Sequence, residues 1–122
     1  ADFDRAREVL GQGDFRSAAD LLAAYAETYP GGPLTPEAHF LRGEALDALG
    51  DRAGAARAYL EAFSGAPDGM RAPDALLRLG LGLAGLGQTP EACVTLLEVP
   101  LRFPGSQAAV EAGQAGADLG CR

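Results

Sequence analysis

The sequence contains no tryptophan and has one histidine, one methionine and two cysteines among its 122 residues. Runs of valine, isoleucine and threonine are also missing, and this favours helix over sheet because β-branched residues are enriched in strands. No apolar run approaches the roughly 20 residues that a membrane-spanning helix needs, so membrane insertion is not expected. The chain has one histidine, no phosphate-binding glycine loop after a strand, no closely spaced metal ligands and no nucleophile elbow. We therefore predict no catalytic residue, no metal site and no cofactor.

The length suits one domain with one hydrophobic core. The 48% hydrophobic and 22% charged residues are typical of a folded globular chain. The formal net charge of -7 argues against nucleic acid or an anionic membrane surface as the main partner. The sequence has no signal peptide and does not begin with Met. We expect a mature or excised fragment whose targeting signal lies upstream.

An internal repeat becomes visible when the sequence is aligned with itself at a shift of 37 residues. Glycines coincide at positions 13, 50 and 87, alanines at 18, 55 and 92, and prolines at 30, 67 and 104. Other columns agree in residue type, among them the large residues Leu22, Tyr59 and Leu96 and the small residues Ala6, Gly43 and Gly80. Three proline coincidences at one period are improbable by chance, so the chain is a tandem repeat.

Each period predicts two helices. The first runs over about 2–12, 36–49 and 73–86, and the second over about 15–29, 52–65 and 89–103. The shared glycines fall between the two helices, where a left-handed C-terminal residue is common. Asp14, Asp51 and Thr89 are expected to cap the second helices, with Pro90 in the first helical position. The shared prolines end the second helices, and Pro100 predicts a kink or an early end in the last one.

A single helical hairpin cannot bury its apolar face, so the hairpins are expected to stack into a solenoid. The small columns let paired helices approach closely, and the large residues fill the space beside them. We predict a single domain over 1–122, with repeats at about 1–35, 36–72 and 73–105. The Ala-rich helix at about 106–119 is expected to cap the third repeat.

The glycine, alanine and proline pattern resembles the tetratricopeptide repeat (TPR), whose usual period is 34 residues. Here three extra residues lie in the turns 30–36 and 67–73. These long turns, with the stretches 38–45, 72–80 and 91–96, resemble the C-terminal domain of the YbgF family, also called CpoB. The resemblance covers nearly the whole chain. It implies an all-α, right-handed TPR superhelix of three helical hairpins plus a C-terminal capping helix.

The resemblance also implies a function. Members of this family are periplasmic accessories of the Tol–Pal system that contact TolA and help coordinate peptidoglycan synthesis with outer-membrane constriction during cell division. The implied partners are therefore a TolA-like protein and a peptidoglycan synthase complex. Family members trimerise through an N-terminal coiled coil, which this sequence lacks. A lipoprotein of the outer-membrane barrel-assembly machinery has similar repeats, so an adaptor of outer-membrane protein assembly, or another envelope TPR adaptor, is the alternative.

In TPR solenoids the first helix of each pair lines the concave face. Mapping the columns by this resemblance predicts a partner-binding groove with apolar anchors at Phe40 and Leu77 and an acidic rim, which would accept a segment with basic residues. The alternative is that the charges form a solvated face and Phe40 belongs to the core. The predicted groove residues are Phe3, Arg7, Glu37, Phe40, Glu44, Asp47, Asp74, Leu77, Arg78 and Leu81, with Leu10 beside them.

Three further residues are interpreted individually. His39 is expected on the inner side of its helix as a packing residue or a partner contact. A role as general base would need an orienting partner that the sequence does not supply. Cys93 lies near the start of a helix, and Cys121 follows the antiparallel capping helix. Cys121 would overshoot Cys93 by about 9 Å unless the tail folds back. A disulfide and two free thiols, with Cys93 as a small buried residue, both remain open.

Overall fold

The computed structural model describes residues 2–122. Within this range the chain forms seven helices and no strand, and every helix starts and ends within one residue of the predicted bounds. They are α1 (Asp2–Gly11), α2 (Phe15–Thr28), α3 (Thr35–Ala48), α4 (Arg52–Gly65), α5 (Ala72–Gly85), α6 (Thr89–Arg102) and α7 (Gln107–Leu119). Among these residues no helix is long and apolar enough to cross a bilayer.

The repeat fixes the turns between paired helices. Gly13, Gly50 and Gly87 have φ values of 82°, 82° and 80°, in the left-handed region that only glycine adopts cheaply. The Asp14 carboxylate accepts a hydrogen bond from the amide of Ser17 (3.3 Å), and Asp51 does the same from Gly54 (2.9 Å). These aspartates cap α2 and α4 as predicted.

One local prediction about α6 was wrong, and one of two alternatives at Pro100 is excluded. The residue at the N-cap is Gln88, which makes no side-chain cap hydrogen bond, and Thr89 is already helical. Of the kink or early end predicted at Pro100, the early end does not occur, since the helix continues to Arg102. Pro100 lies in the last turn of α6. Its missing N–H costs one backbone hydrogen bond, but few helical residues follow it, so little of the helix is affected.

The hairpins stack through close contacts at the small columns. A Cβ atom on Gly43 would lie 2.6 Å from the Tyr59 ring, and one on Gly80 would lie 2.7 Å from Leu96. Each helix packs against the next one along the chain, and α7 packs against both α5 and α6. The odd-numbered helices form one layer, whose free surface we call the inner face, and α2, α4 and α6 form the outer layer.

The core is continuous along the solenoid. One buried cluster contains residues of α1 to α4 and Ala75 of α5, and a second contains residues of α5, α6 and α7. Phe63 and Leu79 pack against both clusters and join them. The first is centred on Phe40 and Tyr59, which are 0% and 1% exposed and meet edge to face at 5.5 Å.

The tail after α7 folds back on its helix. Gly120 adopts a left-handed conformation (φ 76°), and the amide of Cys121 donates a hydrogen bond to the Gly116 carbonyl at 2.8 Å. This motif reverses the chain immediately after α7, so Cys121 does not overshoot α6. The structure pairs Cys121 with Cys93 in a disulfide.

Candidate partner-binding face

The apolar residues predicted to anchor a partner belong to the core. Phe3, Phe40 and Leu77 are 6%, 0% and 5% exposed. The prediction that Phe40 and Leu77 anchor a ligand in an open groove was therefore wrong. Helical periodicity identifies an apolar residue of the first helix as inward-facing, but it does not distinguish the groove from the interior of the hairpin.

Two arginines cover the ring of Phe40. The guanidinium of Arg71 lies 4.4 Å from the ring centroid, and that of Arg78 lies 5.0 Å from it. A cation over the face of an aromatic ring is attracted by the ring quadrupole. Phe40 is thus shielded from a partner by cations.

The acidic rim predicted on α3 is largely paired. Arg71 donates to both carboxylate oxygens of Glu37 at 2.8 and 2.9 Å, a bidentate arrangement. Arg78 donates to Glu44 at 3.0 Å. The bond to Glu37 is the main reason that the pKa of Arg71 is raised. These pairs neutralise two of the four acids of the predicted rim, which weakens the acidic character of this face; that it selects a basic segment stays a prediction.

A short hydrogen-bond network continues from the second pair. Arg78 donates to the Tyr59 hydroxyl at 3.4 Å, and that hydroxyl donates to Asp47 at 3.2 Å. Burial raises the pKa of Tyr59 to about 12, so the hydroxyl keeps its proton in solution near neutral pH. The network joins α3, α4 and α5 on one side of the molecule.

An open depression of about 460 Å³ lies beside this network. Its lining combines charges of both signs with an apolar side chain, Leu81, which is 44% exposed. The lining residues are Asp47, Gly50, Arg52, Arg78, Leu81 and Gly82. Together these groups offer a partner both ionic contacts and a small apolar contact, so we call this feature the inner depression.

The structure brings together most of the predicted groove residues, but not those of the first repeat. Arg7 is exposed and lies over the ring of Phe3, with 5.9 Å between guanidinium and centroid. Asp74 is half-buried in the first turn of α5. Its charge contributes to the raised pKa of Arg71. Over residues 2–122 the hydrogen-bond network of α3 and α5 does not extend to Arg7.

Sequence reasoning missed Arg71 and Arg52. Arg71 lies in the long turn before α5, and its partner Glu37 is 34 positions earlier, whereas the repeat period is 37. The difference of three residues is about one helical turn, so the side chains that pair across neighbouring inner helices lie about one turn out of the repeat alignment. A search for opposite charges at a spacing of 34 would have found both ion pairs.

His39 faces the outer layer instead of the inner depression. Its Nδ1 lies 3.1 Å from Glu61 of α4, and Arg42 lies 3.8 Å from the same carboxylate. Burial is the main cause of the lowered pKa of His39; Glu61 acts in the opposite direction, and Arg42 adds to the lowering. Ala23, Ala26 and Glu27 of α2 line the same open pocket of about 380 Å³. The partial burial of His39 agrees with a packing residue, and a contact with a partner stays a prediction.

Residues 74–106, which span most of α5, all of α6 and the following turn, match a family model described as "Tetratricopeptide repeat". No curated protein matches the chain. With the helix order and packing described above, this match identifies the fold as an all-α TPR solenoid. TPR arrays are protein-interaction modules, in which stacked repeats present an extended surface to a partner.

Proposed function

We propose that this domain is a periplasmic protein–protein interaction scaffold of the Tol–Pal system. In this proposal it binds TolA and helps coordinate peptidoglycan synthesis with outer-membrane constriction during division. The observation that carries the proposal is the inner depression on a TPR solenoid, because it offers a partner a mixed ionic and apolar contact area. The choice of the Tol–Pal system rests on the resemblance of the repeats and their long turns to the YbgF family.

The cysteine pair supports an envelope location. A disulfide between Cys93 and Cys121 would persist in an oxidising compartment such as the periplasm and would be reduced in most cytosols.

The expected contact area is centred on the inner depression. Leu81 supplies exposed apolar surface there, and Arg78 and Asp47 supply charges of both signs. Since Glu37 and Glu44 already hold arginines, the partner segment need not be strongly basic. We expect a short amphipathic segment whose apolar residue contacts Leu81 and whose charged residues contact the rim.

The direct test is calorimetric titration of the domain with the periplasmic part of TolA from the same organism. The proposal predicts saturable binding by a folded, helical sample. If no binding is seen, a periplasmic component of the barrel-assembly machinery becomes the next ligand to titrate, and the Tol–Pal assignment is withdrawn.

A pair of matched variants locates the binding surface. Leu81→Lys places a charge in the inner depression, whereas Leu60→Lys changes an equally accessible leucine (47% exposed) on the outer layer. We expect Leu81→Lys to weaken binding by about tenfold or more, the effect of losing a central apolar contact, and Leu60→Lys to leave it unchanged. Charge reversal at Glu44 or Asp47 is a poorer test because both side chains also hold the fold together. Equal affinities of the two leucine variants would place the binding site elsewhere.

A further inference from the structure

The capping helix α7 has few side chains in the core. Its buried residues are Ala108, Ala112 and Gly116. By contrast, α5 buries Leu76 and Leu77 in the equivalent layer. Since hydrophobic stabilisation scales with the apolar area removed from water, side-chain packing holds α7 less firmly than it holds α5.

The disulfide compensates for this weak packing. Cys93 lies in the second turn of α6, and Cys121 follows the end of α7, so the bond ties the far end of the cap to the last repeat across 28 residues of sequence. Both cysteines are half-buried and line an open cleft of about 210 Å³ between α6 and α7. A small thiol can therefore reach the bond from solvent.

The surface beneath α7 is apolar. Leu76, Leu77, Leu96 and Val99 form a buried cluster with Ala108 and Ala112 of the cap. Next to it, α6 already exposes a stripe of Val94, Leu97 and Leu101, which are 65%, 47% and 75% accessible. Departure of α7 would join the buried cluster and this stripe into one larger apolar surface.

We propose that the Cys93–Cys121 bond is a redox latch that keeps α7 docked on the last repeat. A dithiol transfers two electrons and two protons to the bond, which gives two cysteine thiols and a cyclic disulfide of the reductant. With the tie gone, α7 undocks while the six preceding helices stay folded, because end elements of a repeat array open independently of the centre. Undocking also removes α7 from the inner layer beside α5. The inference does not depend on the identity of the partner.

Hydrogen exchange measured with and without dithiothreitol tests the latch. In the reduced protein we expect amide exchange of residues 107–119 to accelerate by roughly 400-fold, as the loss of a cross-link that closes a loop of this length implies. Exchange in α3 and α4 should stay within about twofold. A dye that binds apolar surface should fluoresce more strongly after reduction.

The double variant Cys93→Ser/Cys121→Ser is the control. It should match the reduced wild-type protein and should not respond to dithiothreitol. Three outcomes would overturn the proposal. The first is that exchange in α7 does not change although thiol titration shows that the disulfide is fully reduced. The others are equal acceleration of exchange in all helices, and two free thiols in the protein purified without reductant.

Discussion

Replacing Gly43 with alanine tests how the repeats pack. Gly43 lies inside α3, where alanine is intrinsically favoured over glycine by about 1 kcal/mol. In this fold, however, a Cβ atom at position 43 would lie 2.6–2.8 Å from three ring carbons of Tyr59. That ring is 1% exposed and held at its hydroxyl by Asp47 and Arg78, so it cannot move freely.

The magnitude follows from two opposing effects. Overpacking a close-packed core costs about 1–3 kcal/mol, and the helix-propensity gain offsets up to about 1 kcal/mol of it. We expect Gly43→Ala to lower the free energy of unfolding by about 1–2 kcal/mol, which corresponds to a fall in Tm of roughly 4–8 °C for a domain of this size.

Gly113→Ala is the matched control. Gly113 also lies inside a helix, α7, but a Cβ atom there would meet nothing within 4 Å. This variant should therefore be more stable than wild type by about 0.5–1 kcal/mol. Urea denaturation followed by circular dichroism at 222 nm measures both variants. If Gly43→Ala were as stable as Gly113→Ala, the close contact between α3 and Tyr59 would be refuted.

Three further predictions concern other contacts. Cys93→Ser/Cys121→Ser should lower the free energy of opening α7 by about 3.5 kcal/mol, the chain-entropy value for a 28-residue separation, as measured by native-state hydrogen exchange of residues 107–119; no loss would contradict the constraint. Burial lowers the pKa of His39, so the unfolded chain binds more protons, and the free energy of unfolding should fall as the pH drops through the unfolded pKa of 6.5. The variant His39→Asn should flatten this dependence between pH 7.5 and 5.5. The same slope in both proteins would argue against a lowered pKa of His39. Tyr59→Phe should remove the tyrosine transition near pH 12 from an ultraviolet titration, because burial raises the pKa of Tyr59 to about 12. It should also lower the free energy of unfolding by about 1 kcal/mol, the contribution of a lost hydrogen bond. Persistence of the transition would mean that another tyrosine produces it.

Much of the fold could be predicted because repetition multiplies weak signals. A single glycine or proline is poor evidence for a helix boundary, but the same residue at three equivalent positions reduces the uncertainty to about one residue. Asp14 and Asp51 were predicted as caps for the same reason. In the third repeat this column contains Gln88 in place of an aspartate, and there the cap was predicted at Thr89, wrong by one residue.

The binding surface was less predictable because it depends on the offset between helices. A repeat alignment identifies equivalent positions, but side chains that touch across α3 and α5 are not equivalent positions. Glu37 contacts Arg71 and not Asp74, although Asp74 is the residue that aligns with Glu37 in the repeat. Knowledge of this offset requires the three-dimensional stacking. For the same reason Phe40 could be assigned to the inner helix but not to the core.

Whether the two cysteines could pair depended on the course of the chain after α7. Helix lengths alone left Cys121 about 9 Å beyond Cys93. The left-handed Gly120 and the hydrogen bond from Cys121 to Gly116 remove this mismatch. Glycine after a helix is a recognised signal for such a reversal, so the pattern was present in the sequence.

The central claim is that the inner face between α3 and α5 binds a protein segment. The most direct measurement is a two-dimensional ¹⁵N–¹H spectrum of the labelled domain, recorded while the periplasmic part of TolA is added. The proposal predicts that the amides of Arg78, Leu81 and Gly82 shift progressively and saturate, while that of Leu60 on the outer layer does not move. Saturating shifts confined to the outer layer, or no shift at all, would contradict it.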